Sequence, residues 1–117
     1  MNLRTASGSF IVFAGIQAVG EFISATYIEV WMYALAFGFL LLGAAALVHR
    51  GRFVAGAVIG TVLSLFELAN YPFWRKDNAW DWIFDSLLAA AAAGTLVAVV
   101  WLLATRARIP AVSATRS

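Results

Sequence analysis

The sequence predicts an all-α membrane protein, four transmembrane helices in one antiparallel bundle, and three observations predict it. Hydrophobic residues make up 63% of the 117 residues and charged residues 12%, whereas a soluble domain is about half apolar and about a quarter charged. The apolar residues fall into four runs, each close to the roughly 20 residues that a helix needs to cross about 30 Å of hydrocarbon. Basic residues collect at one end of these runs and acidic residues at the other.

The first run extends from about Ser9 to Tyr27 and the second from about Val30 to Val48, joined almost without a loop. The third runs from about Phe53 to Phe73, after the basic turn His49, Arg50, Gly51, Arg52. The stretch Tyr71, Pro72, Phe73, Trp74 ends it, and Arg75, Lys76, Asp77 and Asn78 form a loop before the fourth run, from about Trp82 to Thr105. Pro110 stops the last helix, so residues 1–108 are expected to form a single transmembrane domain and 109–117 a flexible tail. An N-terminal apolar run after a single Arg also has the form of a signal peptide with small residues near Gly20. The run continues apolar past Gly20, and it is read as a helix.

Positive flanks resist translocation, so they set orientation. Arg4, Arg50, Arg52, Arg106, Arg108 and Arg116 fall on one side with no acid among them, while Arg75 and Lys76 share the other side with Glu29, Asp77 and Asp81. The expected protein is a multi-pass protein of the cell membrane with both termini cytoplasmic. Tyr27, Trp31, Tyr33, Tyr71, Trp74, Trp80 and Trp82 gather at the outward ends, where an interfacial aromatic belt belongs.

Several function classes drop out. The absence of cysteine excludes disulfides, thiolate metal sites and cysteine nucleophiles. The net charge of +2 reads as topology, and no nucleic-acid partner is expected. No phosphate-binding loop, nucleotide fingerprint, HExxH or serine elbow is present. No cofactor or metal is expected, and His49, the single histidine, is read as a solvated loop residue.

The informative residues are three acids inside the apolar runs, Glu21, Glu67 and Asp85. An ionisable group in hydrocarbon needs a partner or a function. At a rise of 1.5 Å per residue, all three lie roughly 5 to 9 Å inside the outward ends of their helices. Gln17, Glu21 and Ser24 share one face of the first helix; Gly56, Gly60, Ser64, Glu67 and Tyr71 share one face of the third; Asp81 and Asp85 continue into Ala89 and Ala92 on the fourth. The stripes of the third and fourth helices are small at the inward end and polar at the outward end. The expected assembly packs tightly at the cytoplasmic end, through the Gly56 and Gly60 step, and opens outward over an acidic pocket. Its lining would be Gln17, Glu21, Ser24, Ser64, Glu67, Asn70, Tyr71, Asp81 and Asp85. Acids crowded in hydrocarbon are expected to share protons. The competing structural expectation is that Glu21 and Glu67 hydrogen-bond to Ser24, Asn70, Tyr71 or a backbone carbonyl and fix helix register.

The two halves overlay loosely, with Glu21 and Ser24 before Tyr27 matching Glu67 and Asn70 before Tyr71, as a parallel two-helix repeat would. The stretch Ser9, Phe10, Ile11, Val12, Phe13, Ala14, Gly15, then Leu40 to Ala46 with Gly43, and Tyr71, Pro72, Phe73, Trp74 followed by Asp85, resembles a family of small actinobacterial four-helix membrane proteins of unknown function. The resemblance covers most of residues 8–100. It implies the fold and membrane location and no activity, and this chain departs from the pattern at the acids of its first and third helices, on the expected pocket.

Three readings follow. In the first, the pocket binds a small lipophilic or cationic molecule and moves it in exchange for protons. In the second, the chain is a non-catalytic accessory, assembly or holin-like subunit, held to a second copy or to another membrane protein by its small-residue faces. In the third, it is an acid–base enzyme, a cyclase, isomerase or epoxide-opening catalyst on an isoprenoid-like substrate, with Glu67 and Asp85 catalytic and Glu21 and Tyr71 in support.

Overall fold

The computed structural model describes residues 3–26, 31–73 and 78–107. These form α1 (Leu3–Ser24), α2 (Trp31–His49), α3 (Phe53–Asn70) and α4 (Ala79–Ala107), with a single 3-10 turn, Tyr71–Phe73, after α3. There are no strands among the described residues, and all four helices are long and apolar enough to span a membrane. The expected tail at 109–117, Arg108 and Arg116, and the loop residues Tyr27, Glu29, Trp74, Arg75, Lys76 and Asp77 lie outside the described residues.

The helix bounds differ from the sequence reading where polar residues are helical. The first helix begins at Leu3 rather than near Ser9, because the Ser7 and Ser9 hydroxyls donate back to the carbonyls of Leu3 and Thr5 and remove their own need for water. It ends at Ser24 and is followed by a turn at Ala25 and Thr26; the junction with α2, expected almost without a loop, falls on residues 27–30 and lies outside the described residues. The fourth helix begins at Ala79, three residues before the expected start. Asn78 caps it: its Oδ1 accepts from the Asp81 amide at 2.9 Å and its carbonyl from the Trp82 amide. Between α2 and α3 the chain reverses at Gly51, whose φ of 87° is open to glycine and strained for other residues.

Burial is distributed as lipid demands. Large apolar side chains such as Val12, Ile16, Phe39, Val58, Val62, Leu87 and Val100 face outward, while most of the interior is alanine, glycine and short polar residues. Hydrocarbon solvates leucine as well as a protein core does, so association rests on close backbone approach and polar contacts. Each helix packs on two neighbours: α1 on α2 and α4, and α3 on the same two. Helices α1 and α3 therefore face each other across the bundle axis. The inner half is held by aromatic rings seated on glycines. Phe10 crosses from α1 to α3, where a Cβ on Gly60 would lie 2.7 Å from its Cζ, and Phe13 covers Gly94 of α4 in the same way.

The Gly56 and Gly60 step packs within the chain. A Cβ on Gly56 would lie 2.5 Å from Val48 Cγ2 and 2.8 Å from the Ala44 carbonyl oxygen of α2. Backbone cannot yield as a side chain can, so Gly56→Ala is expected to destabilise the fold by about 1 to 3 kcal/mol. A lowered unfolding midpoint in mixed micelles checks this, with Gly15→Ala, which meets nothing within 4 Å, as the neutral control.

The two halves bury the same register. Phe10, Ala14, Gln17, Ala18 and Glu21 of α1 correspond in spacing and burial to Gly56, Gly60, Leu63, Ser64 and Glu67 of α3. Gly38, Leu41, Ala44, Ala45 and Val48 of α2 correspond likewise to Asp85, Leu88, Ala91, Ala92 and Thr95 of α4. Glu21 and Glu67 are thus equivalent positions on helices that oppose each other.

Candidate functional site

The acidic stripe of each helix points inward because every other face meets lipid, and an acid costs least where other polar groups or water can reach it. Glu21, Glu67 and Asp85 are all buried, at 7%, 2% and 8% exposure. Glu21 and Glu67 lie near enough across the axis to interact, and Gln17 lies near the Glu67 carboxyl. Helix α2 supplies only Ala34, Gly38 and Leu41 at this level, so the polar side of the interior is built from α1, α3 and α4.

Beneath the acids lies a second polar layer. The Gln17 side-chain oxygen accepts from the Ser64 hydroxyl at 3.3 Å and from the Thr95 hydroxyl at 3.0 Å, joining α1, α3 and α4. The Thr95 oxygen also stands 2.9 Å from the Ala91 carbonyl, and its single proton serves one of the two acceptors at a time. Gln17, Ser64 and Thr95 are fully buried. Three further atoms find no hydrogen-bond partner: Gln17 Nε2 and both carboxylate oxygens of Glu67. Buried polar groups are nearly always satisfied, so this cluster stands out within the interior.

The remaining expected residues divide. Ser24 is buried one turn above Glu21. Asn70, Tyr71 and Asp81 are half-buried at the rim. Asn70 Nδ2 donates to its own helix at the Phe66 carbonyl, at 2.8 Å, and the Tyr71 hydroxyl pairs with Ser86 at 3.0 Å. Neither Asn70 nor Tyr71 satisfies Glu67, so the expectation that these two tie its carboxyl down is corrected. Asp81 stands in the first turn of α4 with its amide held by Asn78. An apolar groove lined by Ile11, Val12, Gly15, Ile16, Val19 and Leu42 lies apart from the acids. Residues 27–30 and 74–77 are outside the described residues.

Sequence reasoning missed two residues of this interior. Thr95 continues the stripe of Asp81, Asp85 and Ala92 by a further step of three, and that spacing could have found it. Phe10 closes the interior below Gln17, and an apolar residue in an apolar run carries no such signal. Among the described residues no group of three metal-binding side chains forms.

No protein-family model, curated protein or solved structure matches the chain. The site and the membrane-spanning fold are therefore argued from this chain's own residues.

Proposed function

We propose that this four-helix membrane protein binds a small lipophilic or cationic molecule at its acidic end, between Glu21, Glu67 and Asp85, and exchanges it for protons. The acidic end faces outward and both termini are cytoplasmic, because Arg4, Arg50, Arg52 and Arg106 stand exposed at the opposite end, where positive flanks are retained. Gln17, Ser24 and Ser64 line the base of the site; Asn70, Tyr71 and Asp81 form its rim.

The observation that carries this reading is the set of buried groups without partners, Gln17 Nε2 and the two Glu67 oxygens. A structural carboxyl would have been satisfied by the hydroxyls and carbonyls around it, at a gain of about 1 to 3 kcal/mol for each group. An occupant that offers donors to Glu67 supplies that gain only when bound. Among the described residues no basic residue is buried there, so charge selects a cation or a neutral donor over an anion. A carboxyl pair that gives up a proton when a cation arrives couples the two by charge balance. The likeness to small actinobacterial four-helix proteins supports membrane residence and adds no activity.

The test is native mass spectrometry of the protein released gently from its own membrane, alongside the Glu21→Gln/Glu67→Gln double variant. The expected result is a small mass that stays with the original chain and is lost from the variant. If both forms carry only copies of themselves or other proteins, the acids are structural and an accessory or assembly role replaces this one.

A further inference from the structure

The acids are ringed by four seams between neighbouring helices, and residues beside the acids close three of them with apolar packing. Phe22, next to Glu21, sits on Gly38 of α2 and meets Phe39 edge to face with ring centroids 5.2 Å apart, which closes α1 on α2. Gly20, on the other side of Glu21, receives Leu88 of α4: a Cβ there would lie 2.7 Å from Leu88 Cδ1. Phe66, next to Glu67, meets Phe37 of α2 edge to face at 5.1 Å. The fourth seam, between α3 and α4, carries a contact of another kind at this level. Tyr71 stands one turn beyond Glu67 on the α3 side, Ser86 follows Asp85 on α4, and their hydroxyls pair at 3.0 Å toward the outside of the bundle. Resting on the site proposed above, we propose that the outer part of this seam is a lateral portal, latched by the Tyr71 and Ser86 hydroxyls, through which a membrane-dissolved lipophilic molecule reaches the acids from the lipid.

The four seams differ in what opening them costs. Parting an apolar seam lifts a ring or a leucine off its partner and forfeits its close contacts, which no polar group restores. A hydroxyl pair opens differently, because each hydroxyl both donates and accepts. The polar end of a passing molecule can take over the bond, so neither hydroxyl is stranded in hydrocarbon. Ser86 shares its exposed face with Trp82 and Ile83, a face that meets lipid, and Tyr71 supplies the partner a serine needs there. Helix α3 is also the less firmly held of the opposed pair, since α1 packs more extensively on α2 and α4 than α3 does on either. Farther in, the same seam is shut: Phe10 and the Thr95 methyl fill the space over Gly60. The opening is therefore confined to the level of the acids. The substrate class narrows with it, to an amphiphile whose apolar body dissolves in the bilayer and whose polar end carries the donor for Glu67.

The chain has no cysteine, so a pair introduced as Tyr71→Cys/Ser86→Cys can be bridged by a bis-methanethiosulfonate reagent and released by reductant. Access is read as the rate at which dicyclohexylcarbodiimide, a lipophilic carboxyl reagent, modifies Glu21, Glu67 or Asp85 in phosphatidylcholine vesicles. Peptide mass spectrometry locates the adduct, and a water-soluble carbodiimide is run beside it. The bridge is expected to stop the lipophilic reagent, reductant to restore it, and the water-soluble reagent to be unaffected. Tyr71→Phe and Ser86→Ala should each speed lipophilic labelling about threefold, the worth of a typical interhelical hydrogen bond in a membrane. The double variant should be no faster than either, since both changes remove one bond. Unchanged lipophilic labelling of the bridged protein overturns the proposal, as does an unbridged chain that the lipophilic reagent does not label, or a bridge that slows both reagents alike. Labelling needs no retained ligand, so these outcomes are separate from the mass measurement. A small mass lost from the Glu21→Gln/Glu67→Gln variant, together with unhindered labelling of the bridged protein, would leave the site standing and remove the portal.

Discussion

Replacing Glu67 by methionine is expected to stabilise the folded bundle by about 1 to 3 kcal/mol while removing ligand, the two effects moving in opposite directions. Both Glu67 oxygens are buried without a hydrogen-bond partner, and the Glu21 carboxyl lies beside them. Methionine has nearly the same length and no polar atoms, so the substitution removes an unsatisfied group and leaves little void. A carboxyl kept for register would behave differently, because its removal would orphan the groups bonded to it. Unfolding in mixed micelles of increasing denaturing detergent reads the difference. A midpoint that rises supports a site retained against stability, and one that falls by a comparable amount makes Glu67 a structural residue. Glu67→Gln is less informative for stability because it retains polar atoms.

The second large effect is expected at Phe10. Its ring is fully buried and lies across the bundle axis on Gly60, so Phe10→Ala is expected to destabilise by about 3 to 5 kcal/mol, as buried Phe→Ala changes do. In a membrane this loss is mainly one of contacts and void, since exposing apolar surface to lipid costs little. Ala14, Ala57 and Ala98, which share its buried cluster, are too small to fill the space. The double variant Phe10→Ala/Gly60→Leu refills it from the opposite helix and should recover part of the loss, a non-additivity that a double-mutant cycle measures. Additive effects of the two substitutions would mean that the ring and the glycine do not pack as described.

The four spans and the acids' inward faces were legible in the sequence because both follow from periodicity: run length gives the crossings, and steps of three and four place Gln17, Glu21 and Ser24 on one stripe. The order of the helices was not. Nothing along the chain says that α1 and α3 oppose each other across the axis, which is what brings Glu21 to Glu67 instead of to Asp85 alone. The repeat was visible only around the two acids, Glu21, Ser24 and Tyr27 against Glu67, Asn70 and Tyr71, since burial is conserved between the halves where residue identity is not, as with Phe10 against Gly56 and Gln17 against Leu63. The extra turns at the starts of α1 and α4 were hidden for another reason. Serines and an asparagine stabilise helix ends through local bonds that an apolarity count does not register.

The lengths of the helices carry a consequence for the bilayer itself. At 18 and 19 residues, α3 and α2 reach roughly 27 to 29 Å, close to the hydrocarbon thickness, whereas α4 with its 29 residues reaches roughly 43 Å. A long helix meets a thin membrane by tilting or protruding, whereas a short one thins the bilayer, lets flanking side chains reach for the interface or associates with a neighbour. The pair α2 and α3, turned sharply at Gly51, is therefore expected to set the membrane thickness at which the bundle sits with least mismatch.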